Sequence, residues 1–151
     1  MREIEFRGKI KKDWTEEWFY GDLLQDTEGK MYIITKDYTP KPDGLIELNT
    51  CQSAEVDPET VGEYTNKKDC KGNKIYTTDI IKAIRRTNLY EEYEYFKVHF
   101  HNGCYMVGNF NMHEFFDKFS HKEVVGNLID NPELLESGNY ADNDTMLPAT
   151  E

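Results

Sequence analysis

Val56-Asp57-Pro58-Glu59-Thr60-Val61-Gly62-Glu63-Tyr64-Thr65-Asn66-Lys67-Lys68-Asp69-Cys70-Lys71-Gly72-Asn73-Lys74-Ile75-Tyr76-Thr77-Thr78-Asp79-Ile80-Ile81-Lys82 is the stretch on which the fold class turns. Asp57-Pro58-Glu59 is turn chemistry, because Asp caps and Pro presets φ for a first helical position. Val61–Tyr64 then reads as a short strand. Lys71-Gly72-Asn73 reverses the chain, and Ile75–Ile84 returns as a longer strand. The stretch holds no nucleophile–base pair, no metal-ligand spacing and no phosphate loop. It speaks for architecture and says little about chemistry.

The same short-strand pattern continues on both sides. Ile4 and Phe6 alternate with Glu3, Glu5 and Arg7, a half-buried edge strand. Trp18–Leu24 follows the charged turn at Lys11–Glu17, and Glu28-Gly29 reverses it into Met31–Thr35. Lys36–Gly44, with Pro40 and Pro42, reads as a loop, and Leu45–Leu48 as another short strand. Further on, Asn102-Gly103 joins Glu94–His101 to Cys104–Val107, since both turn residues tolerate positive φ. Phe115, Phe116 and Phe119 make one face of a helix over Met112–Phe119. Glu123–Ile129 reads as a last strand, and Asn131-Pro132 as the cap and first position of a helical turn. Many short strands with close turns predict a mainly β barrel or roll with extra short helices.

Composition bounds the rest. The 151 residues suit one domain, placed at 1–136, with an acidic tail at 137–151 expected to be disordered. Ten Tyr, eight Phe and two Trp must carry a core that is thin in aliphatics. Of the net charge of −11, the six acidic residues between Leu128 and Glu151, with no Lys or Arg among them, supply the larger part. So acidic a chain repels nucleic-acid phosphates in general. Lys67, Lys68, Lys71, Lys74, Lys82, Arg85 and Arg86 stand against it, with only Asp69 and Asp79 nearby in sequence. Three cysteines without close spacing imply reduced thiols, not a disulfide framework. No apolar run resembles a signal peptide or a membrane span, so a cytoplasmic protein with no membrane partner is expected.

An internal echo links Lys11-Lys12-Asp13 before Phe19–Leu24 to Lys67-Lys68-Asp69 before Tyr76–Ile81. It implies two similar corners, at which Asp22 and Asp79 accept backbone N–H groups. His99 and His101 at i, i+2, with Cys104 past the turn and His113 and His121 nearby, are candidates for zinc. They lack the paired knuckles of a structural site, and Phe100 between them reads as the core residue. No metal, cofactor or catalytic residue is therefore assigned. Tyr90, Tyr93 and Tyr95 sit among Glu91, Glu92 and Glu94 and suit a protein interface better than base stacking.

Phe6-Arg7-Gly8-Lys9 with Trp18-Phe19-Tyr20-Gly21-Asp22-Leu23 resembles the opening block of the YopX-like family of phage and prophage proteins. Val56–Thr65, Lys68-Asp69, Gly72, Ile75-Tyr76 and Asp79-Ile80-Ile81 resemble its central block, and Val124–Leu135 its closing one. The resemblance implies an SH3-like barrel or roll made in a bacterial cytoplasm from a phage or prophage gene. It implies no enzymatic activity and no cofactor. One departure is Thr78, where the family pattern leads one to expect Gly. A β-branched residue resists positive φ, so a more regular corner at Asp79 is expected here.

The function expected is thus a non-enzymatic interaction or self-assembling module, a homo-oligomer or a partner of a host or phage protein. The alternative is a nucleic-acid-binding module using the segment Lys67–Arg86 with adjacent tyrosines. The candidate surface comprises Tyr90, Tyr93, Tyr95, Lys67, Lys68, Lys71, Arg85 and Arg86.

Overall fold

The computed structural model describes residues 1–11, 17–36, 38–48, 53–86 and 91–136; for Tyr38, Leu48 and Arg86 it describes the backbone alone. Tyr90, Cys51 and the tail at 137–151 lie outside the described residues. The chain divides into two compact units, Met1–Glu63 and the part from Tyr64 onward.

The first unit is an antiparallel sheet of β1 (Phe6–Lys9), β2 (Trp18–Gln25), β3 (Met31–Ile34) and β6 (Ser53–Val56), in the order β6-β3-β2-β1. Between β3 and β6, β4 (Tyr38–Pro40) and β5 (Ile46–Leu48) pair as a separate two-stranded ribbon. So Lys36–Gly44 is not all loop: Pro40 lies within a ribbon in which, among the described residues, no third strand requires its missing N–H. Asp26 makes the β2–β3 turn, its Oδ1 accepting from the N–H groups of Glu28 and Lys30 at 2.9 Å each. Ile33 and Val56 are fully buried on the inner face. Asp57 caps the 3₁₀ turn Pro58–Thr60 as its sequence predicts, accepting from the Glu59 N–H at 3.0 Å.

The second unit is built on a five-stranded antiparallel sheet. In the order β12-β11-β10-β9-β13 it contains β9 (Asp79–Arg86), β10 (Glu91–His101), β11 (Cys104–Val107), β12 (Phe110–Asn111) and β13 (Phe119–Asn127). Beside it β7 (Gly62–Lys68), from Tyr64 on, pairs with β8 (Lys74–Tyr76). Helix α1 (Met112–Lys118) covers the sheet, and Asn111 caps it by accepting from the Glu114 N–H at 2.8 Å. The Phe spacing read from the sequence explains the core. Phe96 meets Phe115 and Phe119 edge-on at 5.1 and 4.9 Å, while Phe115 and Phe119 stack at 4.6 Å. Such geometries add to the area each ring buries. Ile81, Ala83, Val98 and Val107 complete the cluster.

Several expectations are corrected. Both main sheets are open, and no closed barrel forms among the described residues. Ile75–Ile84 is not one strand: Thr77–Thr78 breaks it into β8 and β9, which join different neighbours. Nor is that corner regular, for Thr78 holds φ at +78°. The internal echo does not make two corners. Its first copy runs straight through β2, where Asp22 faces Ile34 across the ladder and pairs with Lys36 at 3.7 Å. Asp79 alone behaves as read, accepting from the Tyr76 N–H at 2.7 Å. Asn131 precedes the 3₁₀ turn Pro132–Leu135 without capping it; its Oδ1 accepts from the Asn127 N–H at 3.2 Å.

Candidate functional site

Register decides which candidate residues share a surface. β10 pairs with β9 so that Glu94 faces Ala83, Tyr95 faces Lys82 and Tyr93 faces Ile84. Side chains alternate along a strand, and directly opposed residues project to the same side. Arg85, Glu94 and Glu92 therefore lie on the side of the core residues Ile81, Ala83 and Phe96. Tyr93, Tyr95 and Lys82 lie on the other. Arg85 donates from Nε to a Glu94 carboxylate oxygen, and its guanidinium sits 5.3 Å from the Phe119 ring centroid. Its charge is thus matched on the side away from the tyrosines.

Tyr93 is 50% exposed, and the Lys82 ammonium lies 4.2 Å from its ring centroid. Tyr95 is half-buried. Arg86 faces Glu91 in the ladder. Lys71 donates to Glu123 at 2.8 Å, a hydrogen bond that, with the charge of Glu123, raises the Lys71 pKa. Lys67 is exposed, with its ammonium 5.3 Å from the Phe116 ring centroid; Lys68 is exposed opposite Lys74. The basic segment is contiguous in sequence, but the fold splits it between two faces of one sheet and the end of another hairpin. One contact between a segment cation and a candidate tyrosine is Lys82 on Tyr93.

The reading from sequence gives Asp69 and Lys122 no structural role. β13 is bulged between Ser120 and Glu123, with His121 at φ +53°. A bulge takes peptide groups out of the ladder, and they need other partners. The β7–β8 turn supplies them: Cys70 donates its N–H to the Lys122 carbonyl at 2.8 Å, and the Asp69 carboxylate accepts from the Val124 N–H at 3.0 Å. Asp69 also accepts from the N–H groups of Lys71 and Asn73, at 2.9 and 2.8 Å. Burial alone would raise its pKa, but these donors outweigh burial and lower it. The Lys122 ammonium donates to the Phe119 carbonyl at 2.7 Å, just past the C-terminus of α1, where a cation is favoured. Burial pushes its pKa down. The one legible signal was a Lys soon after a helix end.

His99 and His101 have ring centroids 6.4 Å apart, and Cys104 is exposed. Among the described residues, no group of three or more His, Cys, Asp or Glu side chains is gathered closely enough to hold a metal ion. Phe100 is not a core residue: it is 59% exposed, because the β10–β11 hairpin runs past the end of the core. Among the same residues, no helix is long and apolar enough to cross a membrane.

Two open antiparallel β units, with a buried phenylalanine cluster and an exposed tyrosine strand, define a mainly β protein. The chain belongs to the family described as YopX protein, which matches residues 5–136 and so spans both units. No curated protein matches it. Among solved structures it is similar to protein EF1440 from Enterococcus faecalis, known from a crystal structure. The TM-score is 0.59 at 17% identity, covering 89% of this chain and 99% of that one. At that identity the likeness speaks for the fold alone.

Proposed function

We propose that this YopX chain is a non-enzymatic interaction module of phage or prophage origin. It works in the bacterial cytoplasm by assembling with itself or with a host or phage protein. We also infer that its mostly short strands, with register shifts in the β7–β8 and β13–β9 pairings, make an SH3-like roll. The observation that carries the assembly reading is Tyr93, half-exposed on β10. Among the described residues β11 pairs with Val98–His101, whereas Glu91–Lys97 pair with β9, so Tyr93 lies beyond the β11 pairing. A rigid aromatic beyond such a pairing gives contact area at little entropic cost. The test is size-exclusion chromatography of wild type beside Tyr93→Glu, with near-ultraviolet circular dichroism to show that both are folded. Later elution of the variant is expected; equal elution would count against this surface.

The alternative, nucleic-acid binding through Lys67–Arg86, is favoured by the Lys82–Tyr93 pair. Against it stand the engagement of Lys71 and Arg85 by Glu123 and Glu94 and the net charge of −11. Fluorescence polarisation with a labelled single-stranded oligonucleotide separates the readings. Binding that falls steeply with salt would favour the alternative.

A further inference from the structure

Side chains of β9 and β10 alternate between the phenylalanine core and a second face. On that second face three rungs follow one another: first Lys97, Ile80 and Gly126, then Tyr95, Lys82 and Glu123, then Tyr93, Ile84 and Ser120. The first rung is covered. A Cβ on Gly126 would meet Asn131 Oδ1 at 2.6 Å and Leu134 Cδ1 at 2.9 Å, so the 3₁₀ turn Pro132–Leu135 lies over it, close to β10. Ile80 is fully buried there. The other two rungs present half-exposed Tyr93 with half-buried Tyr95 and Lys82. Glu136 follows the 3₁₀ turn, and residues 137–151 follow Glu136. The chain thus enters that tail on the tyrosine side of the sheet, not on the core side.

Alternate residues of a strand lie about 6.8 Å apart, so the Tyr93 rung is roughly 14 Å beyond the covered one. An extended chain spans about 3.3 Å per residue, and the tail is long enough to cross that distance several times over. Charge fits as well. Glu123 opposes Lys82 in the ladder but is held by Lys71 at 2.8 Å, and Glu91 opposes Arg86. The Lys82 ammonium meets the Tyr93 ring at 4.2 Å to the centroid. Partly desolvated, it favours a carboxylate neighbour. The tail carries Asp142, Asp144 and Glu151 without a Lys or Arg, and brings Tyr140, Met146 and Leu147 as apolar area for Tyr93 and Tyr95. We infer that residues 137–151 dock back across this face of their own chain, setting Asp142 or Asp144 on Lys82. The net charge of −11 favours a solvated tail instead. Tethering works against that, because a short linker supplies an effective concentration on the order of millimolar. A docked tail covers Tyr93 and so competes with a second copy, a consequence that rests on the assembly reading. Salt screens the Lys82 contact and frees the face, the direction in which it also relieves repulsion between copies.

Zero-length carbodiimide coupling of the full chain at high dilution tests this, since it joins an ammonium to a carboxylate only where the two touch. Peptide mass spectrometry reads the links. The ion pair of Lys71 with Glu123 at 2.8 Å is the internal control. A link from Lys82 to Asp142 or Asp144 is expected, and within one chain when light- and heavy-isotope protein are mixed. Tail links to Lys67 and Lys68 should be several-fold weaker, although both are exposed and random encounter would favour them over half-buried Lys82. Tyr93→Glu, which sets a carboxylate beside Lys82, should lower the Lys82 link several-fold and leave the control unchanged. A control link without a Lys82–tail link would overturn the docking. So would equal linking to Lys67 and Lys68, a link between chains, or an unchanged link in Tyr93→Glu. If docking fails while Tyr93→Glu still elutes later than wild type, the assembly reading stands without it. A Lys82–tail link with equal elution keeps the docking and removes the assembly reading.

Discussion

Thr78 holds a backbone conformation that β-branched residues avoid, at φ +78°. What holds it there is visible. Its N–H donates to the Val98 carbonyl and its carbonyl accepts from the Leu128 N–H, both at 2.8 Å. Asp79, buried beside it, fixes the Tyr76 N–H. A left-handed L-residue costs about 1–2 kcal/mol, and Gly gives back part of that through its unfolded-state entropy. Thr78→Gly should therefore stabilise by about 0.5–1 kcal/mol. The reading is a higher urea midpoint at unchanged slope, and a lower midpoint would contradict it. Asp69 is the opposite case, a residue whose partners all favour it. Replacing it with Ala strands the Val124, Lys71 and Asn73 N–H groups and should cost about 2–3 kcal/mol. Its folded pKa lies below its unfolded one, so its contribution is present above the ordinary carboxylate pKa and is lost as pH falls through the depressed value. Asp26 is lowered in the same direction, its hydrogen bonds from Lys30 and Glu28 overcoming the desolvation that would raise it. The Asp69 share is thus the difference between the acid limbs of wild type and Asp69→Asn, and coincident limbs would refute its role.

Strands, turns and the helix were legible where one residue's chemistry suffices. Asn102-Gly103 closes its hairpin because both residues accept positive φ, and Phe115 with Phe119 marks α1 through helical spacing. Asp57 likewise caps its own turn. Legibility failed where distant residues override local preference. The break at Thr77–Thr78 depends on Val98 and Leu128, and the pairing of Lys71 joins it to a residue 52 positions away. Gly21 shows what such remote contact demands of an element. A Cβ there would lie 2.1 Å from the Ile34 carbonyl oxygen, inside main chain that cannot give way. Gly21→Ala should separate β2 from β3 and cost at least the roughly 1–3 kcal/mol of an overpacked core. Guanidinium unfolding measures it, and a change below about 0.5 kcal/mol, typical of a neutral surface site, would contradict the close approach.

Across the molecule, the candidate surface was only half readable. Tyr93 and Tyr95 lie on β10, which starts at Glu91 where the sequence reading begins its strand at Glu94, and the basic segment scatters because ion pairs to Glu94 and Glu123 depend on the fold. On the proposed assembly reading, hydrophobic contact and not a cationic groove drives association. The net charge of −11 opposes it by mutual repulsion, which salt screens beyond a length of about 10 Å at 0.1 M. Assembly should tighten as salt rises, the reverse of phosphate binding. Light scattering of the purified protein at tens of micromolar, near physiological salt and again above it, puts the self-assembly claim to its plainest test. The account predicts a mass that is a multiple of 17.8 kDa and does not fall with added salt. A clean monomer mass at both salt concentrations would contradict it.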